Sequence, residues 1–458
     1  MNSNKQQVTV IGAGLAGSEA AWQLAERGMA VQLIEMRPQT MTPAHSGACF
    51  AELVCSNSLK SLDTKTAAGA LKRELTRMGS FVLRRALEAR VPAGGALAVN
   101  RDVFAAAVTE SLLAHRNIEV VHEEICDLNG FIDSGRHCIV ATGPLTSGPL
   151  ADSIQKLVGS ENLAFFDAAA PIVTADSLDL EKLFAQSRYD RNGCDYLNAA
   201  LDRDTYETLM VELVNAERVI LRDFESKDLF QACQPVEEIA RKGMDALRFG
   251  ALKPVGLTDP QTGRRPWAAV QLRAETVEKT AYNLVGFQTN LTFAAQQRIF
   301  RMIPGLENAE FSRFGVMHRN TFIDSPRLLD RSLALSQRKL ANIRFAGQIT
   351  GTEGYVEAIG SGLVAALGTF AACNDLIAPK LPEQTLLGSL LAYATDPATE
   401  VYQPMHVNYG IMQPLPQRVK GKQQRYLEYS QRAQQAMDDF IGSRLDLAFL
   451  PAFELPIC

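Results

Sequence analysis

The feature that most constrains this chain is a set of three glycines, Gly12, Gly14 and Gly17, that separates a short β-branched run from a helical pattern. In such a pattern the first glycine permits a tight turn and the second lets the backbone approach a pyrophosphate. The third lets the helix pack closely on the strand. The residues predicted to contact a dinucleotide here are Gly12, Ala13, Gly14, Leu15, Ala16 and Gly17.

The residues around the glycines predict a strand over 8–11, a helix over 18–27 and a second strand over 31–34. Glu35 ends that second strand, where a carboxylate can accept hydrogen bonds from a ribose diol. The start of the helix offers free N–H groups and the positive end of the helix dipole. The opening therefore predicts a βαβ dinucleotide site.

Composition narrows the class of protein without identifying a partner. The 458 residues are 47% hydrophobic and 21% charged, which excludes a disordered tail or a fibre. The net charge of -5 argues against a surface that attracts polyanions everywhere, yet allows a local basic groove.

From the cysteine usage and the polar N-terminal segment we expect a cytoplasmic protein. The eight cysteines are too sparse for a disulfide scaffold, and none has the spacing of a zinc pair, so no metal site is expected. The polar start shows no signal peptide, and the longest uncharged run, 358–374, is short for a bilayer span. We expect no membrane attachment.

Later segments of the chain also predict alternating strands and helices. Strands are expected over 118–125, 138–141 and 343–346, and a glycine-containing helix over 352–367. This layout is similar to glutathione-reductase-type flavoproteins, in which the last helix points its N-terminus at the flavin. Further cofactor contacts are expected at Thr142, Gly143, Gly347, Gln348, Gly351 and Gly354.

The predicted fold is thus an α/β, glutathione-reductase-type FAD-binding Rossmann-like domain interrupted by an α+β insertion domain. Residues 1–150 and 335–458 would form the FAD domain and 151–334 the insertion, with a helix over 422–438 packing back on the first domain. There is no second G-x-G-x-x-G pattern, so we expect no separate nicotinamide domain. A reductant would then dock transiently.

Two cysteines have unusual surroundings. Cys55 lies in AELVCSNSLK and Cys233 in LFQACQPVEE, both among polar and turn-forming residues. An unpaired cysteine is most often a small buried hydrophobe. A helix that starts just after Cys233 would instead lower the pKa of its thiol and favour the reactive thiolate. From the residues alone both interpretations stand.

Longer strings carry a family resemblance. The opening fingerprint, AELVCSNSLKS, ALKPVGLTDPQTG, YNLVGFQTNL, FAGQITGTEGYVEA and YQPMHVNYG together resemble the folate- and FAD-dependent tRNA (uracil-5-)-methyltransferases, over about residues 8–430. The resemblance implies methyl transfer without S-adenosylmethionine. Methylenetetrahydrofolate would give its one-carbon unit to reduced FAD, which also supplies electrons, and NAD(P)H would reduce the flavin. The product would be the 5-methyluridine of the tRNA T-arm.

The resemblance also assigns roles to the cysteines. Carbon 5 of uracil is a poor nucleophile until a thiolate adds at carbon 6, which divides one difficult step into two easier ones. Carried over from the family, Cys233 supplies that thiolate and Cys55 guards or deprotonates near the flavin. The two roles could be exchanged.

Three further residues follow from the resemblance. His318 and Arg319 fall in a string associated with the folate site, and Lys253 would touch flavin, folate or RNA. The alternative for His318 is a hydrogen-bonded surface residue, and for Lys253 it is an ordinary solvated lysine. The chain departs from the family pattern over 42–50, where Cys49 is extra, and at Gln231-Ala232.

For the RNA partner, basic residues on the insertion and the tail are candidates, although such clusters are most often solvated faces. The target base must be flipped out of folded tRNA, so binding should depend on backbone shape. No obligate protein partner is implied. The basic candidates are Arg241, Lys242, Arg248, Arg418, Lys420, Lys422 and Arg425.

Three other functions compete with tRNA methylation. One is the same chemistry on ribosomal RNA, which the sequence does not exclude. A second is a plain flavin oxidoreductase on a small molecule, which leaves the two cysteines unexplained. A third is an RNA-binding protein that keeps FAD for structure.

Overall fold

The computed structural model describes residues 7–42, 44–159, 163–168, 170–188, 194–219, 234–315, 317–399 and 402–456, with only the backbone for 163–168 and 317–320. The strands are β1 (Gln7–Ile11), β2 (Ala30–Glu35), β3 (Ser58–Ser61), β4 (Arg90–Val91), β5 (Ala96–Val99), β6 (Ile118–His122), β7 (Cys138–Val140), β8 (Leu163–Ala168), β9 (Ile172–Thr174), β10 (Leu183–Ala185), β11 (Tyr196–Leu201), β12 (Ala268–Ala274), β13 (Ala281–Leu284), β14 (Phe311–Arg313), β15 (Met317–Phe322) and β16 (Ile343–Phe345). The α-helices are α1 (Leu15–Glu26), α2 (Ala67–Arg77), α3 (Phe81–Glu88), α4 (Arg101–Ala114), α5 (Asn129–Ser134), α6 (Gly148–Val158), α7 (Arg203–Asn215), α8 (Val236–Arg241), α9 (Ala246–Phe249), α10 (Phe293–Phe300), α11 (Ser325–Leu328), α12 (Tyr355–Cys373), α13 (Leu386–Ala394) and α14 (Lys422–Ser443).

A five-stranded parallel sheet organises the first unit. Its order is β16-β7-β1-β2-β6, and every neighbouring pair is parallel. Val8 and Val10 of the central strand β1 are fully buried, as expected for a strand covered by helices on both faces. The strand that follows β1 in the chain, β2, lies on one side of it and the later strand β7 lies on the other. Where the strand order reverses in this way, the carboxyl ends of the strands open a crevice of the kind that binds nucleotides.

Helix α12 packs tightly on α1 behind this sheet. A side chain at Gly17 would place its Cβ 1.8 Å from the carbonyl oxygen of Gly12, and one at Gly362 would come within 2.2 Å of the Ala16 carbonyl oxygen. Among the described residues α12 is the one helix long and apolar enough to cross a membrane, yet most of it is buried. Its apolar character is that of a core helix.

A second unit is built on a six-stranded antiparallel sheet of order β10-β11-β12-β13-β9-β14. Its core draws on residues between Val173 and Ala309, whereas the first unit's core draws on residues up to Ile154 and again from Ile323. The predicted α/β fold is confirmed. The domain boundaries at 150 and 335 stay a prediction.

The tail returns to the first unit, as expected. On α14, Asp438 pairs with Arg77 of α2 at 2.6 Å, and Arg73 donates to the Ser430 carbonyl oxygen at 2.7 Å. Upstream of α14, the Met405 N–H donates to the Gly351 carbonyl oxygen at 2.9 Å. The tail therefore covers the loop that leads into α12.

Candidate functional site

A cleft opens at the carboxyl ends of the parallel strands. Its volume, counted out to the open mouth, is about 1030 Å³. Most of the residues predicted to bind a dinucleotide line it, although they come from distant segments. These are Gly12, Gly14, Leu15, Ala16, Glu35, Thr142, Gly143, Gly347, Gln348 and Gly354.

Three residues of the same prediction lie behind the lining. The Ala13 N–H donates to Glu35 Oε2 at 2.8 Å, so Ala13 orients the carboxylate instead of facing the cleft. Gly17 sits where helix and strand touch. Gly351 has a φ of +75°, and a Cβ there would lie 2.3 Å from Tyr402 Oη. These three residues do not line the cleft but support the residues that do.

The Glu35 carboxylate is nearly saturated with hydrogen bonds. Besides Ala13, it accepts from the Arg37 N–H at 3.1 Å and from Arg37 Nε at 3.0 Å, both through Oε1. Burial alone would raise the pKa of Glu35, but the Arg37 guanidinium and the N–H bonds hold it below its usual value. Since a carboxylate has about four acceptor positions, one is left for a ribose hydroxyl.

Arg37 extends this network to a loop that the sequence did not single out as part of the site. It also donates to Glu52 Oε2 at 3.2 Å, and Glu52 accepts from the Ser46 and Gly47 N–H groups at 3.0 and 3.2 Å. His45 lines the cleft beside them. Burial and then the nearby Arg37 charge lower the pKa of His45 to about 4, so its imidazole is neutral at physiological pH.

The N-terminus of α12 faces the cleft through Gly354, Tyr355 and Ala358. Gly354 has a φ of +117° and caps the helix without a side-chain hydrogen bond. The first N–H groups of a helix lack acceptors within it, and they carry the positive end of its dipole. Gln348 directs its amide nitrogen at both Glu353 oxygens, at 2.8 and 2.7 Å, which leaves its carbonyl oxygen for other partners.

The Cys55 loop forms one wall of the cleft. Val54 lines it, and Cys55 itself is half-buried. Tyr355 Oη accepts from the Cys55 and Ser56 N–H groups at 2.9 and 3.0 Å. Burial first, and then the neighbouring Cys55, raises the pKa of Tyr355, so the phenol stays neutral. The loop is thus tied to the first residue of α12.

Three arginines hold the same loop from the other side. Arg101 Nη1 donates to the Leu53 carbonyl oxygen at 2.9 Å and Arg313 Nη2 to that of Val54 at 2.8 Å. Arg273 Nε donates to Asn57 Oδ1 at 2.7 Å. Arg273 and Arg313 belong to β12 and β14, so the loop lies where the two units meet. Arg101 also pairs with Glu275 at 2.8 Å, which offsets part of the positive charge around the loop. No sequence signal predicted these arginines.

Four further site residues predicted from the sequence are not among the described residues that line the cleft. Cys233 lies outside the described residues. His318 and Arg319 belong to β15, where they pair with Asp167 and Phe166 of β8, and only their backbone is described. Lys253 is half-buried on the loop after α9 and is not part of the cleft lining.

The described residues fit a flavin dinucleotide. The glycine turn and the α1 N-terminus can hold a pyrophosphate, Glu35 has an acceptor position for a ribose, and the α12 N-terminus can stabilise negative charge on a reduced flavin. Within the same residues, no group of three or more His, Cys, Asp or Glu side chains is placed to hold a metal ion.

Comparison with known proteins places the chain in a family. Residues 7–375 match the family model described as glucose inhibited division protein A. The methylenetetrahydrofolate–tRNA-(uracil-5-)-methyltransferase of Acetivibrio thermocellus is 50% identical over 95% of this chain and 98% of its own. The enzyme of the same name from Heliobacterium modesticaldum is 50% identical over 96% of this chain and 98% of its own.

Solved structures support the fold independently. The structure of Aquifex aeolicus GidA, in its form II crystal, superposes with a TM-score of 0.67 at 15% identity, over 96% of this chain and 75% of that one. The family expected from the sequence strings is confirmed by the identities over nearly the full length. The chain belongs to the methylenetetrahydrofolate–tRNA-(uracil-5-)-methyltransferase family.

Proposed function

We propose that this protein methylates carbon 5 of a uridine in tRNA, with methylenetetrahydrofolate as the one-carbon donor and FAD as the bound cofactor. The observation that carries the proposal is the 50% identity, over 95% of the chain, to an enzyme with that name. The cleft supports it, because glycines, a ribose acceptor and a helix N-terminus converge there. The cytoplasm is the compartment we propose.

When bound, FAD supplies the electrons and carries the one-carbon unit. The chain's own residues position it. Glu35, fixed by Ala13 and Arg37, accepts from the adenosine ribose, and the α1 N-terminus binds the pyrophosphate. The open N–H groups at the start of α12 stabilise negative charge on the ring.

A thiolate must add to carbon 6 of the uracil to make carbon 5 nucleophilic. We assign this addition to Cys233, and we assign Cys55 to the flavin side of the reaction. The second assignment is supported by the neighbours of Cys55, since Val54 lines the cleft and Tyr355 joins the loop to α12. The released proton at carbon 5 would pass to a base near this loop.

We further propose that His318 and Arg319 bind the folate. The support is the position of their strand: the Thr321 N–H donates to the Pro144 carbonyl oxygen at 2.8 Å, and Pro144 lines the cleft. Arg319 lies two residues upstream, about 7 Å along an extended strand.

The T-arm uridine as target and NAD(P)H as reductant are part of the same proposal. Lys253 stays a weaker candidate for RNA contact.

The proposal is tested by mass spectrometry of tRNA after reaction. Purified holoenzyme receives a tRNA transcript, ¹³C-labelled methylenetetrahydrofolate and NAD(P)H, without S-adenosylmethionine. The expected product is 5-methyluridine that carries the label at one T-loop position. Cys233→Ala should abolish it while flavin binding is retained, and Cys126→Ala, which changes an exposed cysteine, should not.

Other outcomes would overturn the proposal. Oxidation of NAD(P)H without labelled base would favour a plain flavin oxidoreductase. Label in a ribosomal RNA transcript supplied in a parallel reaction, with none in the tRNA, would move the same chemistry to another substrate. Flavin binding with neither NAD(P)H oxidation nor label would favour a structural role for FAD.

A further inference from the structure

A basic and aromatic surface lies on the second unit, away from the cleft. We name it the Phe249 surface. It surrounds the end of α9 and the start of β12, and none of its members lines the cleft. Its members are Arg203, Arg248, Phe249, Arg264, Arg265 and Trp267.

The aromatic rings of this surface are stacked with guanidinium groups. The Arg248 guanidinium lies 3.8 Å from the centre of the Trp267 ring, and that of Arg203 lies 5.5 Å from it. Arg248 is also 5.8 Å from the centre of the Phe249 ring. Phe249 is 77% exposed, which is rare for a phenylalanine that has no partner to contact. An exposed ring beside arginine planes is suited to stacking on a nucleobase.

The charges of the surface also favour a polyanion. Arg264 and Arg265 are exposed, and their guanidinium groups form no ion pair or hydrogen bond with any part of the chain that the structure describes. Arg203 pairs with Glu207 at 2.7 Å, and Arg248 lies 3.7 Å from Asp245, a carboxylate that is 59% exposed. The Arg203–Glu207 pair is exposed on both sides, and such pairs are weak and exchange readily for phosphate. Arg248 is half-buried and also donates through Nε to the Trp267 carbonyl oxygen at 2.9 Å, which holds it against the ring.

The position of the surface relates it to the reaction site. Trp267 immediately precedes β12, and Arg273 near the other end of that strand contacts the Cys55 loop. Six steps along a strand span about 20 Å. An RNA arm is long enough to reach across this distance, so one tRNA could touch both places. Asp204, Glu207 and Asp245 lie beside Arg203, so the surplus positive charge of the surface resides on Arg264 and Arg265. A second copy of the chain is a poorer occupant, because each copy would bring the same two positive charges to the interface.

We propose that the Phe249 surface is a second tRNA contact, in which Phe249 stacks on an unpaired base and Arg264 and Arg265 bind phosphates. This proposal rests on the proposed function, since it takes tRNA as the substrate of the enzyme. The surface would hold the RNA at a point remote from the thiol and so orient the target base toward the cleft.

The test is tRNA binding to the FAD-loaded enzyme by fluorescence anisotropy over a series of salt concentrations. Replacing Phe249 by alanine should raise the Kd about 10-fold, and Phe249→Leu should do the same, because leucine is apolar but cannot stack. Phe249→Tyr should bind tRNA with the wild-type Kd, because tyrosine keeps an aromatic ring that can stack. Ile377→Ala is the matched control, since Ile377 is an exposed hydrophobic residue on the first unit.

The arginines are tested through the salt dependence. The double variant Arg264→Ala/Arg265→Ala should flatten the slope of log Kd against log salt by about 2, roughly one unit for each lost phosphate contact. The control Arg338→Ala/Lys339→Ala removes an exposed basic pair from the first unit. Flavin content and absorption spectrum should match the wild type in all variants, which shows that they fold.

The proposal is wrong if Phe249→Leu binds tRNA as tightly as the wild type, or if both basic pairs change the salt slope equally. A changed sedimentation coefficient for Phe249→Ala with an unchanged Kd would make the surface a protein contact. Failure of the proposed function would look different: wild-type enzyme would bind tRNA by this surface yet form no 5-methyluridine.

Discussion

At the scale of single residues, the cleft depends on groups held in one orientation by hydrogen bonds. Glu35 is the plainest case. Its two oxygens already accept three N–H bonds from Ala13 and Arg37, and this fixes the plane of the carboxylate. A bound ribose therefore meets an acceptor whose conformational freedom has been removed before the cofactor arrives.

Replacing Glu35 by glutamine should weaken FAD binding by about 10- to 100-fold, because hydrogen bonds to charged groups contribute roughly 1.5–3 kcal/mol. The Kd can be measured from the recovery of flavin fluorescence when FAD dissociates. Glu119→Gln, an exposed change on the neighbouring strand β6, is the control. A Kd equal to that of the wild type would show that Glu35 does not contact the cofactor.

Gly17 tests the packing of helix against strand. An alanine there would place its Cβ 1.8 Å from a backbone oxygen, so α1 must shift, at a cost of about 1–3 kcal/mol. The temperature at which flavin is released should fall by several degrees. Gly130→Ala is the matched control, because a Cβ at Gly130 meets nothing within 4 Å. Equal release temperatures for the two variants would contradict the packing argument.

The sequence predicted these local features because each depends on residues close together in the chain. Glycine spacing, the acidic end of β2 and the polar surroundings of Cys55 are all visible in short strings. The arginines around Cys55 could not be predicted in this way. Arg101, Arg273 and Arg313 reach the loop from elements far apart in sequence, and only the folded chain brings them together.

At the scale of elements, buried carboxylates cap helices in the first unit. Glu74 of α2 accepts from the Leu386 and Leu387 N–H groups at the start of α13, at 2.7 and 3.0 Å. Burial raises the pKa of Glu74 to about 8, although both N–H bonds oppose the shift. The contact joins two helices that support α12 from behind.

The raised pKa of Glu74 predicts how the free energy of unfolding depends on pH. The folded state binds a proton that the unfolded chain releases above its ordinary pKa, so its contribution to stability falls as pH rises from about 4.5 to 8. The slope is at most about 1.4 kcal/mol per pH unit. Chemical unfolding at several pH values should show a flatter profile for Glu74→Gln than for the wild type. Glu88→Gln, exposed on α3, should keep the wild-type slope. A Glu74→Gln profile as steep as the wild type would refute this.

The ends of elements were predicted less well than their existence. The expected helix over 352–367 begins three residues later, at Tyr355, and continues to Cys373. Gly351 and Gly354 have positive φ angles, which keep the intervening residues out of the helix. The expected strand over 118–125 ends at His122, and the residues after it line the cleft. Local backbone conformation at two glycines thus decided where the helix begins.

At the scale of the whole molecule, the two units meet at the Cys55 loop. Arg273 of the second sheet reaches both Asn57 and Ser56, at 2.7 and 3.2 Å. The second unit therefore sets the position of the thiol relative to the cleft of the first. The sequence predicted that an insertion interrupts the FAD domain, but the hydrogen bonds that join the two units have no local pattern.

The variant Arg273→Lys should disturb the position of the Cys55 loop without affecting FAD binding. Lysine keeps the charge but lacks the planar fork that spans two acceptors, so the loop should lose its fixed position. We expect kcat to fall about 10- to 100-fold with FAD content unchanged. Arg298→Lys, an exposed change on α10, is the control and should retain activity. Wild-type kcat in Arg273→Lys would argue that the loop is positioned by other contacts.

In the proposed reaction, a cysteine thiol adds to the target uracil beside the flavin. The most direct test of this step is to trap the covalent bond between the thiol and the base. A tRNA with 5-fluorouridine at the T-loop position cannot lose its substituent at carbon 5, so a thiol that has added to carbon 6 stays attached. With methylenetetrahydrofolate and NAD(P)H present, peptide mass spectrometry should find the RNA on Cys233, with the one-carbon unit on the base. An adduct on a peptide that holds neither Cys233 nor Cys55, or no adduct from enzyme that methylates ordinary tRNA, would contradict the account.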